Sequence, residues 1–302
     1  MRKTLGLNLG FAVNRYSSPL QWTELVADEL GIKSVQFTAD LLNPYLSDNI
    51  LWRLADETRE KADQKGISID SVFTGAFTRL NHFSHPDAEL RQWWCDWFRR
   101  FCRLAAVLGA KSLGSHFGIL TIPDCADSEL KARRFRDNLD CWKYVAEAGA
   151  DNGLQEICWE PMSIEREYGH NVADVKRVQD ALENMDAALP FRLCLDVDHG
   201  DVDSLNPDDT DPYYYLRHFA RQTSQVHLKQ SYANKGGHWP FTPEHNERGN
   251  ISPKKVLAAL QEGGAGDVSL ILELSFRERG PSERMMLNDL KQSVEFWKPF
   301  CD

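Results

Sequence analysis

No apolar run in this 302-residue chain approaches the length of a membrane span, and the opening MRKTLGLNLGF is too short for a signal peptide. A membrane partner is therefore not expected. The seven cysteines form no CxxC pair and their number is odd, which argues against a disulfide framework or a thiolate zinc site. Reduced structural thiols and a cytoplasmic location fit better. Cys95 and Cys102 stand one heptad apart, as core residues of a helix would. Positive charge is in deficit: 35 Lys and Arg against 45 Asp and Glu leave a net charge of −10. Such a field gives no help in holding a polyanion, so no nucleic-acid partner is expected. No GxGxxG turn follows the first apolar run, which speaks against a dinucleotide-binding fold.

What the chain does have is a regular alternation of short apolar runs and helical segments. Hydrophobic content of 42% and charged content of 26% are ordinary for a globular protein. The runs TLGLNLGF, SVQFTAD, ISIDSVFTG, AKSLGSHFG, QEICWEPM, FRLCLDVD, SQVHLKQ and DVSLILEL read as eight strands. Capping signals open the helices between them, at Ser18-Pro19, Ser47, Asp127 or Ser128, Asp211-Pro212 and Ser252-Pro253. Further helices are predicted from about Pro86 to Leu108, over Val172–Leu189 and over Pro281–Trp297, while residues 231–250 read as a long loop. Eight strand–helix units without a linker predict an α/β fold, one (β/α)₈ barrel, as a single domain over residues 1–302. The helix carrying QWWCDWFRRFC is richer in tryptophan than an exposed face would be. It is expected to pack on the barrel, with the interface of a homo-oligomer (dimer or tetramer) as the alternative.

Four of the strands end on residues that are expensive to bury. They are Glu160 in QEICWEP, Asp196 in FRLCLDVDH, His227 in SQVHLKQ and Glu273 in VSLILEL. Strand alternation puts Glu160 on one face with Cys158, Asp196 with Cys194 and Arg192, and Glu273 with Ile271 and Ser269. The bulkier apolar set is expected to face the helices, so the acidic set faces the barrel axis and converges at the C-terminal mouth. Singly, a strand-end carboxylate is an ordinary ion-pair partner and His227 an ordinary core histidine. Together, four such ends in register need a counter-charge. Two Glu, one Asp and one His make a mostly hard-oxygen shell. It suits one divalent metal, Mn²⁺ first, with Mg²⁺, Co²⁺ or Zn²⁺ as alternatives. Such an ion acidifies the C–H between a ketose carbonyl and its neighbouring hydroxyl and holds the enediolate, while a carboxylate moves the proton. One base gives an isomerase; carboxylates on both faces of one carbon give an epimerase.

These residues carry a resemblance. Asp196-Val-Asp-His199 resembles the DxxH motif of the xylose isomerase-like barrel superfamily. Glu160 upstream, His227 in HLKQ and Glu273 on the last strand match its remaining ligands in order, and Gly114-Ser-His116-Phe-Gly118 resembles its strand-four signature. The resemblance covers nearly the whole chain. It implies that Glu160, Asp196, His227 and Glu273 bind the metal and that Glu160 and Glu273 double as the catalytic acid–base pair of the ketose 3-epimerase branch. It also implies that His199 positions substrate oxygens. LGLNLGFAVNR, VQFTADLLNPYL and GSHFGI are similar to sugar-phosphate epimerases of tetritol catabolism, which act at C3 of an erythrulose phosphate. One departure is Gln230, at a position where many superfamily members carry Asp; a second metal is thereby placed in doubt. Substrate contacts are expected from His199, His116, Lys229, Asn8 and Arg248. For a phosphate, Arg15, Arg79, Lys229, Lys235 and Arg248 lie near strand ends or the 231–250 loop, and Gly236-Gly237 offers backbone amides.

Two rivals use the same barrel. An aldose–ketose isomerase acting on a free pentose, or on a branched sugar such as apiose, would need the same metal and glutamates. A zinc nuclease resembling endonuclease IV would need three zinc ions, for which His82, His116 and Glu244-His245 are the nearest further ligands. The acidic charge counts against that rival.

Overall fold

A computed structural model of the chain describes residues 1–232 and 235–302. Eight parallel strands close a barrel: β1 (Lys3–Asn8), β2 (Ser34–Thr38), β3 (Ser68–Phe73), β4 (Ser112–His116), β5 (Glu156–Glu160), β6 (Phe191–Asp196), β7 (Thr223–Leu228) and β10 (Val268–Leu272). β1 pairs with both β2 and β10, which closes the sheet, and helices connect successive strands. This is the expected (β/α)₈ architecture. No helix among the described residues is long and apolar enough to cross a membrane.

Local chemistry starts and stops the helices. Ser18 forms a capping box with Gln21, and Pro19 takes the first helical position. The Asp127 carboxylate accepts from the amides of Glu129 and Leu130 and opens the helix Ser128–Asp151. Gly109, at φ 79°, ends the aromatic helix Ala88–Leu108 in the left-handed region that glycine favours. Three details differ from the sequence reading. Ser47 sits at the N-cap of Asp48–Gln64 but makes no side-chain capping bond. The helix from Val172 stops at Glu183 rather than Leu189. There Asn184 turns its side-chain amide back onto the Asp180 carbonyl at 2.7 Å, and Pro190 disfavours helical backbone just before it. Residues 231–250 are also not one loop. β8 (Gln230–Tyr232) and β9 (Lys235–Trp239) form an antiparallel hairpin, followed by the short helix Pro243–Arg248. The hairpin strands are too short to show alternation. Stacking of Tyr232 on Trp239, centroids 4.3 Å apart, holds them together.

Two cores result from the alternation. Ile157, Trp159, Leu193 and Leu195 point outward and are buried under the helices. Inside the barrel Phe73, Cys158 and Cys194 form a small separate cluster. Amides complete that interior. The Gln225 amide donates to the Ser112 hydroxyl at 2.9 Å and accepts from the Gln36 amide at 2.8 Å. All seven cysteines are free thiols.

The tryptophan-rich helix packs between Asp48–Gln64 and Ser128–Asp151. Trp94, Trp97, Phe98 and Phe101 are buried, while Trp93 is 40% exposed and stacks on Tyr45. Phe98 is fully buried, with its ring 4.9 Å from Phe83, 5.0 Å from Trp97 and 5.6 Å from Trp142. Phe98→Ala is expected to destabilise the protein by about 3–5 kcal/mol, read by chemical denaturation, because these large rings cannot collapse into the space. A loss below about 1 kcal/mol would contradict this account of the packing.

Candidate active site

Strand register carries the polar ends to one level. Asp196 is the Cα partner of His227, and His116 is the partner of Glu160. The first pairing depends on an irregularity: Leu193 faces Thr223, but Cys194 faces Gln225, so Ser224 is an extra residue. Without that bulge Asp196 would stand beside Val226, whose side chain belongs to the outer core. Glu273 follows β10 directly, and its amide donates to the Leu228 carbonyl at 3.0 Å. Glu160, Asp196, His227 and Glu273 each offer one ligand atom, and these atoms all lie within 4.8 Å of one another. Among the described residues this is the one such group of three or more.

The imidazole of His227 is oriented by its neighbours. Nε2 meets the Gln36 side-chain oxygen at 2.8 Å, an acceptor, so Nε2 carries the proton. Gln36 is itself held by the Asn8 amide at 2.6 Å. Nδ1 is thereby aimed at Glu160, at 2.9 Å, and Glu273, at 3.5 Å. Burial alone would lower the His227 pKa, but Glu273 and Glu160 more than offset it and raise it to about 9.

Lys229 enters the same cup. It is fully buried, its ammonium pairs with Asp196 and lies 2.5 Å from Glu273, and it contacts His238 Nδ1 at 2.9 Å. Burial opposes the charged form of Lys229, yet Asp196 and Glu273 prevail and hold its pKa above the ordinary lysine value. Conversely, burial would raise the carboxyls. His199 and Lys229 outweigh it at Asp196, as His227 and Lys229 do at Glu273, and both are held below the usual carboxylate range.

The donor set fits a divalent cation. Three carboxylates against the one Lys229 ammonium leave a formal charge of −2 once His227 has given up its extra proton, as ligation requires, and one such ion neutralises it. The cluster is therefore a possible metal-binding site.

Above it opens a cavity of about 530 Å³, lined by Glu160, Glu273, His116, His199 and Asn8 among others. His199 Nδ1 donates to the Pro161 carbonyl at 2.8 Å and presents Nε2 to Asp196 at 3.2 Å. His116 Nε2 donates to the Leu80 carbonyl at 2.8 Å, and burial holds this imidazole well below its ordinary pKa, so it is neutral. Of the five expected substrate-contact residues, Lys229 lies sealed beneath the cavity and off its wall, while His199, His116 and Asn8 line it.

The fifth, Arg248, does not. It is exposed at the end of the Pro243–Arg248 helix, away from the cavity wall, because the hairpin supplies that wall instead. The Gly237 amide does meet an anion, but that anion is the Asp198 carboxylate at 2.7 Å. The side chain of Lys235 lies outside the described residues. His82, a candidate further zinc ligand, is buried against Trp94 with centroids 4.2 Å apart, and its Nε2 bonds the Thr78 carbonyl. His245 Nδ1 bonds the Tyr232 hydroxyl at 2.6 Å. Residues missed from the sequence are Gln36, His238 and Glu167. Gln36 alone had a legible signal, being a polar residue inside an apolar strand on the axis-facing side.

The model of the family described as xylose isomerase-like TIM barrel matches residues 25–299. The chain belongs to that family. Within it, the D-erythrulose 1-phosphate 3-epimerase of Brucella abortus (strain 2308) is 40% identical over 302 residues, which is 100% of this chain and 97% of that protein. This xylose isomerase-like protein is accordingly an enzyme of the isomerase class. Among solved structures, a candidate xylose isomerase from Rhodospirillum rubrum ATCC 11170 superposes with a TM-score of 0.89 at 25% identity, covering 98% of this chain and 99% of that one. D-Psicose 3-epimerase from Clostridium cellulolyticum H10, solved with D-tagatose, superposes at 0.72 with 17% identity and 99% coverage of each chain; that likeness shows the shared fold.

Proposed function

We propose that this enzyme epimerises a four-carbon ketose phosphate at C3, interconverting the two enantiomers of erythrulose 1-phosphate. The observation that carries the reading is the pair Glu160 and Glu273, which reach one cup from two separated strand ends, with 40% identity over the whole chain to an erythrulose-phosphate epimerase in support. In this reading Glu160, Asp196, His227 and Glu273 would hold one divalent ion. Mn²⁺ is the proposed ion, since three of the four ligands are carboxylates. When bound, the ion supplies Lewis acidity to the ketose oxygens.

The chain's own residues do the proton work. One glutamate takes the C3 proton, and the C–H electron pair becomes the C2–C3 double bond as the carbonyl oxygen gains negative charge. The other glutamate, carrying a proton, returns it to the opposite face of C3 and the carbonyl re-forms. Microscopic reversibility exchanges the two roles for the other enantiomer. His199, fixed by Pro161, is placed to donate or accept at a substrate oxygen beside Asp196. The buried imidazole of His116, neutral at working pH, forms part of the wall without adding charge. The free thiols support the proposed cytoplasmic location.

The test is proton NMR in D₂O with Mn²⁺-loaded enzyme and D-erythrulose 1-phosphate. Deuterium at C3 together with formation of the L enantiomer, resolved by a chiral coupling assay, is the expected result. An aldehyde or hemiacetal signal instead would show aldose–ketose isomerisation.

A further inference from the structure

We propose that the guanidinium of Arg79 is the group that recognises the substrate phosphate, an inference that rests on reading the substrate as a ketose phosphate. The cavity holds the carboxylates of Glu160, Glu273 and Glu167, so a phosphate dianion needs a cation there that still has N–H donors to give. Of the basic side chains singled out from the sequence that the structure describes, Lys229 is sealed beneath the cavity on Asp196 and Glu273, and Arg248 is away from the wall. Arg15 and Arg79 remain on the lining.

The two arginines differ in what they have left to give. Arg15 is a tether. Its Nε bonds both Glu283 oxygens at 3.0 Å, Nη2 donates to Phe276 O and Glu283 at 2.8 Å each, and Nη1 donates to Phe11 O at 3.1 Å. Only one N–H of Nη1 is uncommitted. Its charge is matched by Glu283, and its carbonyl contacts fasten the loop after β1 to the loop after β10. Arg79 makes one bond, from Nη2 to Glu167 at 2.5 Å. Its Nε is buried without an acceptor among the described residues, and Nη1 likewise bonds none of them. Four of its five N–H donors are therefore unused, and three of these are on Nη1 and Nη2 rather than on the buried Nε, on a side chain 36% exposed at the cavity wall.

Glu167, itself buried, anchors one end of the Arg79 guanidinium and uses one donor. A fork anchored at that end keeps donors on both Nη1 and Nη2, which suits bidentate contact with a phosphate. Ser163, on the same β5 loop as Glu167, also lines this cavity and makes no hydrogen bond to the described residues, so its hydroxyl is free to add a donor.

The experiment compares kcat/KM for D-erythrulose 1-phosphate and for unphosphorylated D-erythrulose in the Mn²⁺-loaded wild type and in Arg79→Gln, with the Ki of inorganic phosphate as an independent readout. Arg79→Gln is expected to raise KM for the phosphorylated sugar and Ki for inorganic phosphate by about 10–100-fold, the range for losing a charge-assisted contact. The preference for the phosphorylated sugar should fall in proportion, and Arg79→Lys should recover part of it. The double variant Arg79→Gln/Glu167→Gln removes the carboxylate left unpaired and should show the same loss, which also covers a single variant that folds poorly. An unchanged preference and Ki in a folded Arg79 variant, or a larger loss of preference in Arg15→Gln, would overturn the assignment while leaving the epimerase reading intact. Absence of turnover of the phosphorylated sugar by the wild type would overturn both.

Discussion

Glu160→Gln and Glu273→Gln are each expected to lower kcat for C3 epimerisation by roughly 10³-fold while leaving the fold intact, since general acid–base steps contribute on the order of 10²–10⁴-fold. Glutamine keeps the shape and one oxygen of the carboxylate but holds no transferable proton at working pH. Both residues sit at strand ends whose backbone is already paired, so circular dichroism and thermal unfolding should show a native protein. The two-base reading makes a sharper demand on the same variants. With one base gone, the surviving glutamate still reaches one face of C3. It should exchange the C3 hydrogen of one enantiomer with D₂O without inverting it, and Glu160→Gln and Glu273→Gln should select opposite enantiomers. Turnover near that of the wild type in either variant would remove that residue from the reaction. Exchange of both enantiomers in both variants would point to a base elsewhere.

Removal of divalent metal is expected to be comparably severe. Exhaustive chelation should lower kcat by roughly 10³-fold or more, since a Lewis acid contributes several kcal/mol at a developing oxyanion. One equivalent of Mn²⁺ should restore activity, and elemental analysis should find close to one ion per chain. The fold should survive, because the Lys229 ammonium lies among these carboxylates and His227 holds a proton readily, with its pKa raised to about 9. Asp196→Asn keeps an oxygen but loses the charge. Its affinity for the ion should fall by roughly 100-fold or more, beyond the 10–100-fold typical of groups that merely support ligands. Full activity after chelation to below 0.01 equivalents (about 1% residual metal) would be incompatible with a metal-dependent reaction, given the thousandfold expectation above. Unchanged metal retention by Asp196→Asn after dialysis would remove Asp196 from the ligand set.

The chain alone determined the barrel and the cluster at its mouth. Strand alternation is a two-residue period. Once Trp159, Leu193 and Leu272 are assigned to the outer core, Glu160, Asp196 and Glu273 have no other face to occupy. Helix starts were equally legible where Ser18, Asp127 and Asp211 cap their own helices, because that chemistry is local. Tertiary structure decided what depends on pairings distant in sequence. The extra residue at Ser224 brings His227 level with Asp196, and nothing in VHLK by itself records that shift. The partner of His227 Nε2 is Gln36, 191 positions earlier. The hairpin after β7 forms its short strands around one stacked pair, which takes Arg248 off the cavity wall and puts His238 on it. The five basic residues near strand ends look alike in one dimension. Only the packed structure shows that Glu283 and two carbonyls consume Arg15, that Lys229 is sealed among carboxylates, and that Arg79 keeps its donors. A donor is free or committed according to its neighbours in space, and the sequence does not contain that distance.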